Sequence, residues 1–96
     1  MFELYMNGSR LVTTDDVGAA VLAHSRTLTS LGRSAIIEFP VLAGGQPAFA
    51  SATSGYDAPI TAVHIPDDPN IPFILEGSSE ATRAIRRAAL GADSPT

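Results

Sequence analysis

The sequence predicts an α+β domain: a five-stranded antiparallel sheet, one long helix on one face, and a C-terminal helix. Three observations carry this. Apolar and polar residues alternate from Phe2 to Met6, the period of a half-buried strand. Val17, Val21, His24, Leu28 and Leu31 then recur at helical spacing. Three runs rich in β-formers follow, and a second helical stretch closes the chain. With 96 residues, the chain falls at the bottom of the usual ~100–200 residues per domain. It is expected to form a single domain over 1–96, with its core in 1–76, the last helix over about 78–90 and a frayed tail at 92–96.

The elements follow in order. Phe2, Leu4 and Met6 alternate with Glu3, Tyr5 and Asn7, and Asn7-Gly8 is the pair that best tolerates the positive φ of a type I′ turn. A hairpin over 2–6 and 9–13 results. Thr14-Asp15-Asp16 opens the long helix with a capping residue and acids at the positive end of its dipole. Gly32 ends that helix, giving it the span 15–31. Ala35–Leu42, Ala48–Thr53 and Ile60–Ile65 read as strands, the first two joined at Gly44-Gly45, and Ser54-Gly55-Tyr56-Asp57 reads as a turn. Pro40 cannot donate to a ladder, which argues for an edge or a bulge there. Three prolines between Pro66 and Pro72 make a stiff connection, with Phe73-Ile74-Leu75 as an apolar anchor. Ser78-Ser79-Glu80 opens the second helix and Gly91 follows it.

If the long helix carries the chain to the far edge of the sheet, the strand order is 2-1-5-4-3, with Pro40 on the edge. Small sensing and adaptor domains of the PAS, profilin and roadblock types share this kind of arrangement, a likeness of topology that fixes no function. Parity assigns Phe2, Leu4, Met6, Leu11, Ile37, Phe39, Val41, Phe49, Val63 and Ile65 to the covered face. The opposite face then carries Tyr5, Val12, Ile36, Leu42, Ala48, Ala50, Ala52, Ile60, Ala62 and His64. It is too apolar to stay in water, so a second subunit or the last helix should cover it. Tyr5, Val12, Ile36, Leu42, Ile60 and His64 are the candidate interface of a homodimer.

Composition narrows the chemistry. There is no cysteine, which removes disulfides, thiolate nucleophiles and Cys-based zinc sites. The net charge is −4, and all six bases are arginine. Such a balance disfavours general nucleic-acid binding, since phosphate neutralisation supplies most of that affinity. Fifteen alanines and no lysine point to a GC-rich, bacterial source. The first residues lack a basic leader with an apolar run, and no stretch approaches the ~20 apolar residues of a membrane helix. A cytoplasmic protein is expected.

The candidate sites are few. His24 lies on the apolar stripe of the helix, with no Asp or Glu at helical spacing to orient it, and reads first as a structural histidine. His64 falls on the opposite face from Ser51 and Thr53, so no Ser–His pair is expected from it. Asp67, Asp68 and Asn70 supply too few oxygens for a calcium loop, and two histidines too few ligands for zinc. Arg83, Arg86 and Arg87 make a basic group on the second helix that suits an anion or an acidic partner, or simply a solvated face. No catalytic residue, cofactor or metal is assigned.

Thr14-Asp15-Asp16, Ala23-His24, the arginine-containing helix exit, the apolar strand after it and Pro59-Ile60 resemble a family of short actinobacterial proteins of unknown function. Some of these carry the automated label ATP-dependent DNA ligase. The likeness spans Leu11 to Phe73; where the family has a tryptophan in the third strand, Phe39 stands near that place. A ligase holds its adenylate on a lysine, and this chain has none, so the resemblance implies no ligase activity. The residues together predict a non-catalytic, self-associating regulatory or adaptor module. The alternatives are a metabolite-binding domain or enzyme using His24 or His64, and a nucleic-acid accessory using Arg83, Arg86 and Arg87.

Overall fold

The computed structural model describes residues 1–67, 70 and 73–92. The chain runs β1 (Phe2–Met6), β2 (Ser9–Thr13), α1 (Asp15–Ser30), β3 (Ser34–Ala43), β4 (Gln46–Gly55), β5 (Thr61–His64) and α2 (Ser78–Ala92). The fold is α+β, with one antiparallel five-stranded sheet as predicted. The tail residues 93–96, Asp68, Pro69, Ile71 and Pro72 lie outside the described residues. Ala92, expected in the tail, is the last residue of α2.

Local chemistry sets the boundaries. Asn7 and Gly8 adopt φ of 53° and 76°, the paired positive values of the turn their sequence predicts. The start of α1 differs in detail. Thr14 occupies the cap position without a side-chain cap bond; its hydroxyl donates instead to Asp16, whose carboxylate also accepts the Val17 N–H. At the other end Gly32 sits at φ 65°, and the Arg33 and Gly32 N–H groups bond to the carbonyls of Leu28 and Thr29. This is a Schellman stop, which leaves Leu31 at the C-cap, 38% exposed.

The strands lie in the order β4-β3-β2-β1-β5. Set on a ring, this is the sequence of neighbours that patterning predicts, with β1–β2, β1–β5 and β3–β4 adjacent in both. The ring opens between β4 and β5, not between β2 and β3, so Pro40 lies on an inner strand and not at the edge. The ladder is adjusted to suit it. The Pro40 carbonyl accepts the buried Thr13 hydroxyl of β2 at 2.8 Å, so its missing N–H faces the same side, and β2 pairs with β3 only at Val12–Leu42. The outer edge of β4 is in turn held by the β1–β2 turn. Asn7 accepts from the Thr53 N–H at 2.9 Å and donates to the Thr53 carbonyl at 3.0 Å, standing in for one rung of a strand.

The core forms between α1 and one face of the sheet, from Leu4, Met6, Val17, Ala20, Val21, Ile37, Phe39, Val41 and Ala52. α2 lies beside α1 and adds Ile85. Register decides which residues of β4 and β5 belong to this face. Ile37 and Phe39 stand opposite Ala52 and Ala50, and Leu4 opposite Ala62. The assignment made from hydrophobicity is therefore corrected in these two strands. Phe49 and Val63 point away from the core, 72% and 44% exposed, while Ala50, Ala52, Ala62 and Ile60 turn toward it. Large residues on one strand need small ones across from them for a helix to seat closely. The same close seating explains Gly18: a Cβ there would stand 2.3 Å from the Phe2 ring.

Candidate functional site

Helical spacing turns Val17, Val21, His24 and Leu28 of α1 toward the sheet, and all four are buried. The alanines of β4 admit α1 closely enough for His24 Nδ1 to lie 2.8 Å from Ser54 Oγ. Ser54 is fully buried and makes no other side-chain hydrogen bond among the described residues. Its proton has one acceptor, the imidazole Nδ1, so Ser54 donates and the ring carries its own proton on Nε2. Burial lowers the His24 pKa below its ordinary value, which keeps the ring neutral.

His24 also borders a groove of about 360 Å³ between α1 and α2, walled by Ala19, Ala23, Ala89 and Leu90, with Arg86 alongside. Ser54 was not singled out in the sequence because it reads there as part of a turn. β4 in fact runs on to Gly55, and the inward parity of Ala50 and Ala52, continued two residues, reaches Ser54. The pair is not arranged as a nucleophile and its base: Ser54 has no exposed surface through which to meet a substrate.

The other histidine belongs to a different cluster. His64 stands opposite Phe2 in the register, its ring 4.9 Å from the Phe2 ring, on the α1 side of the sheet. Its Nε2 lies 3.2 Å from Asp15. The Met1 amino group joins Asp15 at 2.7 Å and Asp67 at 2.6 Å. The amino group's hydrogen bond, opposed by desolvation and helped by His64, holds the Asp15 carboxyl below its usual range. Asp67 is thus engaged in an ion pair, Asp68 lies outside the described residues, and no group of three metal-ligating side chains occurs among the described residues.

The candidate interface residues divide. Tyr5, Val12, Ile36 and Leu42 share the outer side of the sheet, joined by Val63 and Phe49. Ile60 packs against the core and His64 sits on the inner side, so neither belongs with them. Tyr5 and Ile36 are 42% and 73% exposed, and Phe49 reaches toward Gly77 at the start of α2. Between Ile36, Phe49 and the α2 alanines Ala81, Ala84 and Ala88 runs a second groove of about 430 Å³. On the same side Glu3 accepts from Arg10 Nε at 2.9 Å and from the Tyr5 hydroxyl at 2.7 Å. These bonds, Arg10 first, hold the Glu3 carboxyl down at about 2.

Arg83, Arg86 and Arg87 are all exposed, and none of them makes a salt bridge among the described residues. No helix among the described residues is long and apolar enough to cross a membrane. No protein-family model, no curated protein and no solved structure matches the chain.

Proposed function

We propose that the protein is a non-catalytic module that associates with a second copy of itself through the outer side of its sheet and serves a regulatory or adaptor role. One observation supports this above the others. Tyr5, Val63, Ile36 and Phe49 stay exposed on that side while α1 crosses the other side and α2 packs beside it. Exposed large apolar residues gathered on one side of a small domain mark a contact surface. The surface also suits itself across a twofold axis. Glu3 is neutralised by Arg10 within the chain, so two like faces meet without opposing charges from that pair. An obligate contact of this kind buries on the order of 2,000 Å² or more.

Sedimentation equilibrium tests the reading. The wild-type chain is expected to run as a dimer at micromolar concentration, and Phe49→Glu and Ile36→Glu as monomers with an unchanged far-ultraviolet circular dichroism spectrum. Ile60→Glu is not a suitable probe, because Ile60 packs on the core and its loss would unfold the chain. A wild type that stays monomeric at high micromolar concentration would falsify self-association.

A further inference from the structure

The groove between α1 and α2 has the parts of a binding site for a small anion with an apolar body. Its walls are apolar, from Ala19, Ala23, Ala89 and Leu90, and its volume of about 360 Å³ is enough for a small ligand. At the low end of the ~300–1,000 Å³ common for such sites, it suits a short or flat molecule. Three polar residues line it: Arg86, His24 and Thr27. Arg86 lines it and makes no salt bridge among the described residues. His24, 1% exposed, also lines it. With Nδ1 taken by Ser54, its Nε2–H makes no hydrogen bond among the described residues, and this nitrogen is not among the fully enclosed polar atoms that lack a partner. It therefore keeps a small exposed surface, and the groove is the space that His24 borders.

We propose that this groove binds a carboxylate with a short apolar tail, its two oxygens shared between the Arg86 guanidinium and the His24 Nε2–H. One cation and one neutral donor match the single charge and two acceptors of a carboxylate. A phosphate would call for more positive charge than the groove supplies. Ser54 is a positioning residue here: by donating to Nδ1 it fixes the tautomer that turns a proton toward the ligand. The site lies between the helices and apart from the outer side of the sheet, so it is independent of self-association.

The test uses octanoate as probe and octan-1-ol as its uncharged match, titrated into the full chain and followed by calorimetry and amide NMR shifts. Octanoate is expected to bind about tenfold or more tighter than octan-1-ol, the scale of one charge-assisted hydrogen bond. Its shifts should fall on α1 and α2. Arg86→Gln should bring octanoate down to the level of the alcohol without changing the melting temperature. Ala23→Leu, which fills the groove from an exposed position, should abolish both. The proposal is overturned if octanoate binds no tighter than octan-1-ol, if Arg86→Gln leaves its affinity unchanged, or if the shifts map to the outer side of the sheet.

Discussion

His24 shows how one side chain ties stability to pH. Its pKa in the folded chain lies below the 6.5 of an exposed histidine because burial penalises the charged ring. The unfolded chain therefore takes up the proton first, and its contribution to stability is complete above pH 6.5 and falls as the pH drops through that value. The urea midpoint of the wild type should fall between pH 7 and pH 5, and that of His24→Gln should fall less over the same range. Equal slopes would assign the dependence to other groups. Thr82 is a second single-residue case. It is buried on α2, and its hydroxyl has no hydrogen-bond partner among the described residues. Thr82→Val keeps the shape and removes the unmet group, so it should be neutral or stabilising by about 1 kcal/mol. A loss of that size in chemical denaturation would reveal a partner for the hydroxyl.

Among the elements, the β1–β2 turn has two duties that substitution separates. Asn7 supplies a positive φ to the turn, and its amide group holds the outer edge of β4 at Thr53. Asn7→Gly keeps the first and deletes the second; Asn7→Ala harms both. Two exposed hydrogen bonds set the expected cost of Asn7→Gly at about 1–2 kcal/mol, with Asn7→Ala costing more because alanine resists φ above zero. Equal costs in urea denaturation would mean the bonds to Thr53 contribute nothing. The first half of the chain was legible at this scale. The alternation of β1, the Asn7-Gly8 pair, the stripe of α1 and Gly32 each act on neighbours in sequence, so their residues alone predicted spans within a residue or so of those observed. β4 was not legible in this way. Phe49 looks like core by its own chemistry, and only the large residues opposite its neighbours turn it outward.

For the molecule as a whole, α2 is part of the core and not an appendage. Ile85 is 2% exposed and packs with residues of α1 and β3. A chain ending at Gly77 would uncover that cluster along with the flank of α1. It is expected to melt at least several degrees lower with a broadened transition and to bind the dye ANS. An unchanged, sharp melt would mean that residues 1–77 hold a complete core. The removal of α2 should also abolish octanoate binding, since Arg86, Ala89 and Leu90 leave with it.

The sequence by itself determined what local forces determine: which segments are helix or strand, where they stop, and that an α+β sheet results. It also excluded cysteine chemistry and a lysine-held adenylate, because composition requires no folding to read. The tertiary structure alone decided where the sheet opens, which way β4 and β5 face, and what His24 touches. Those depend on partners 27 to 46 residues away. Thr13 meets Pro40, His24 meets Ser54 and Asn7 meets Thr53. No spacing along the chain encodes such a meeting. It is selected by the packing of large side chains against small ones when the helices settle on the sheet.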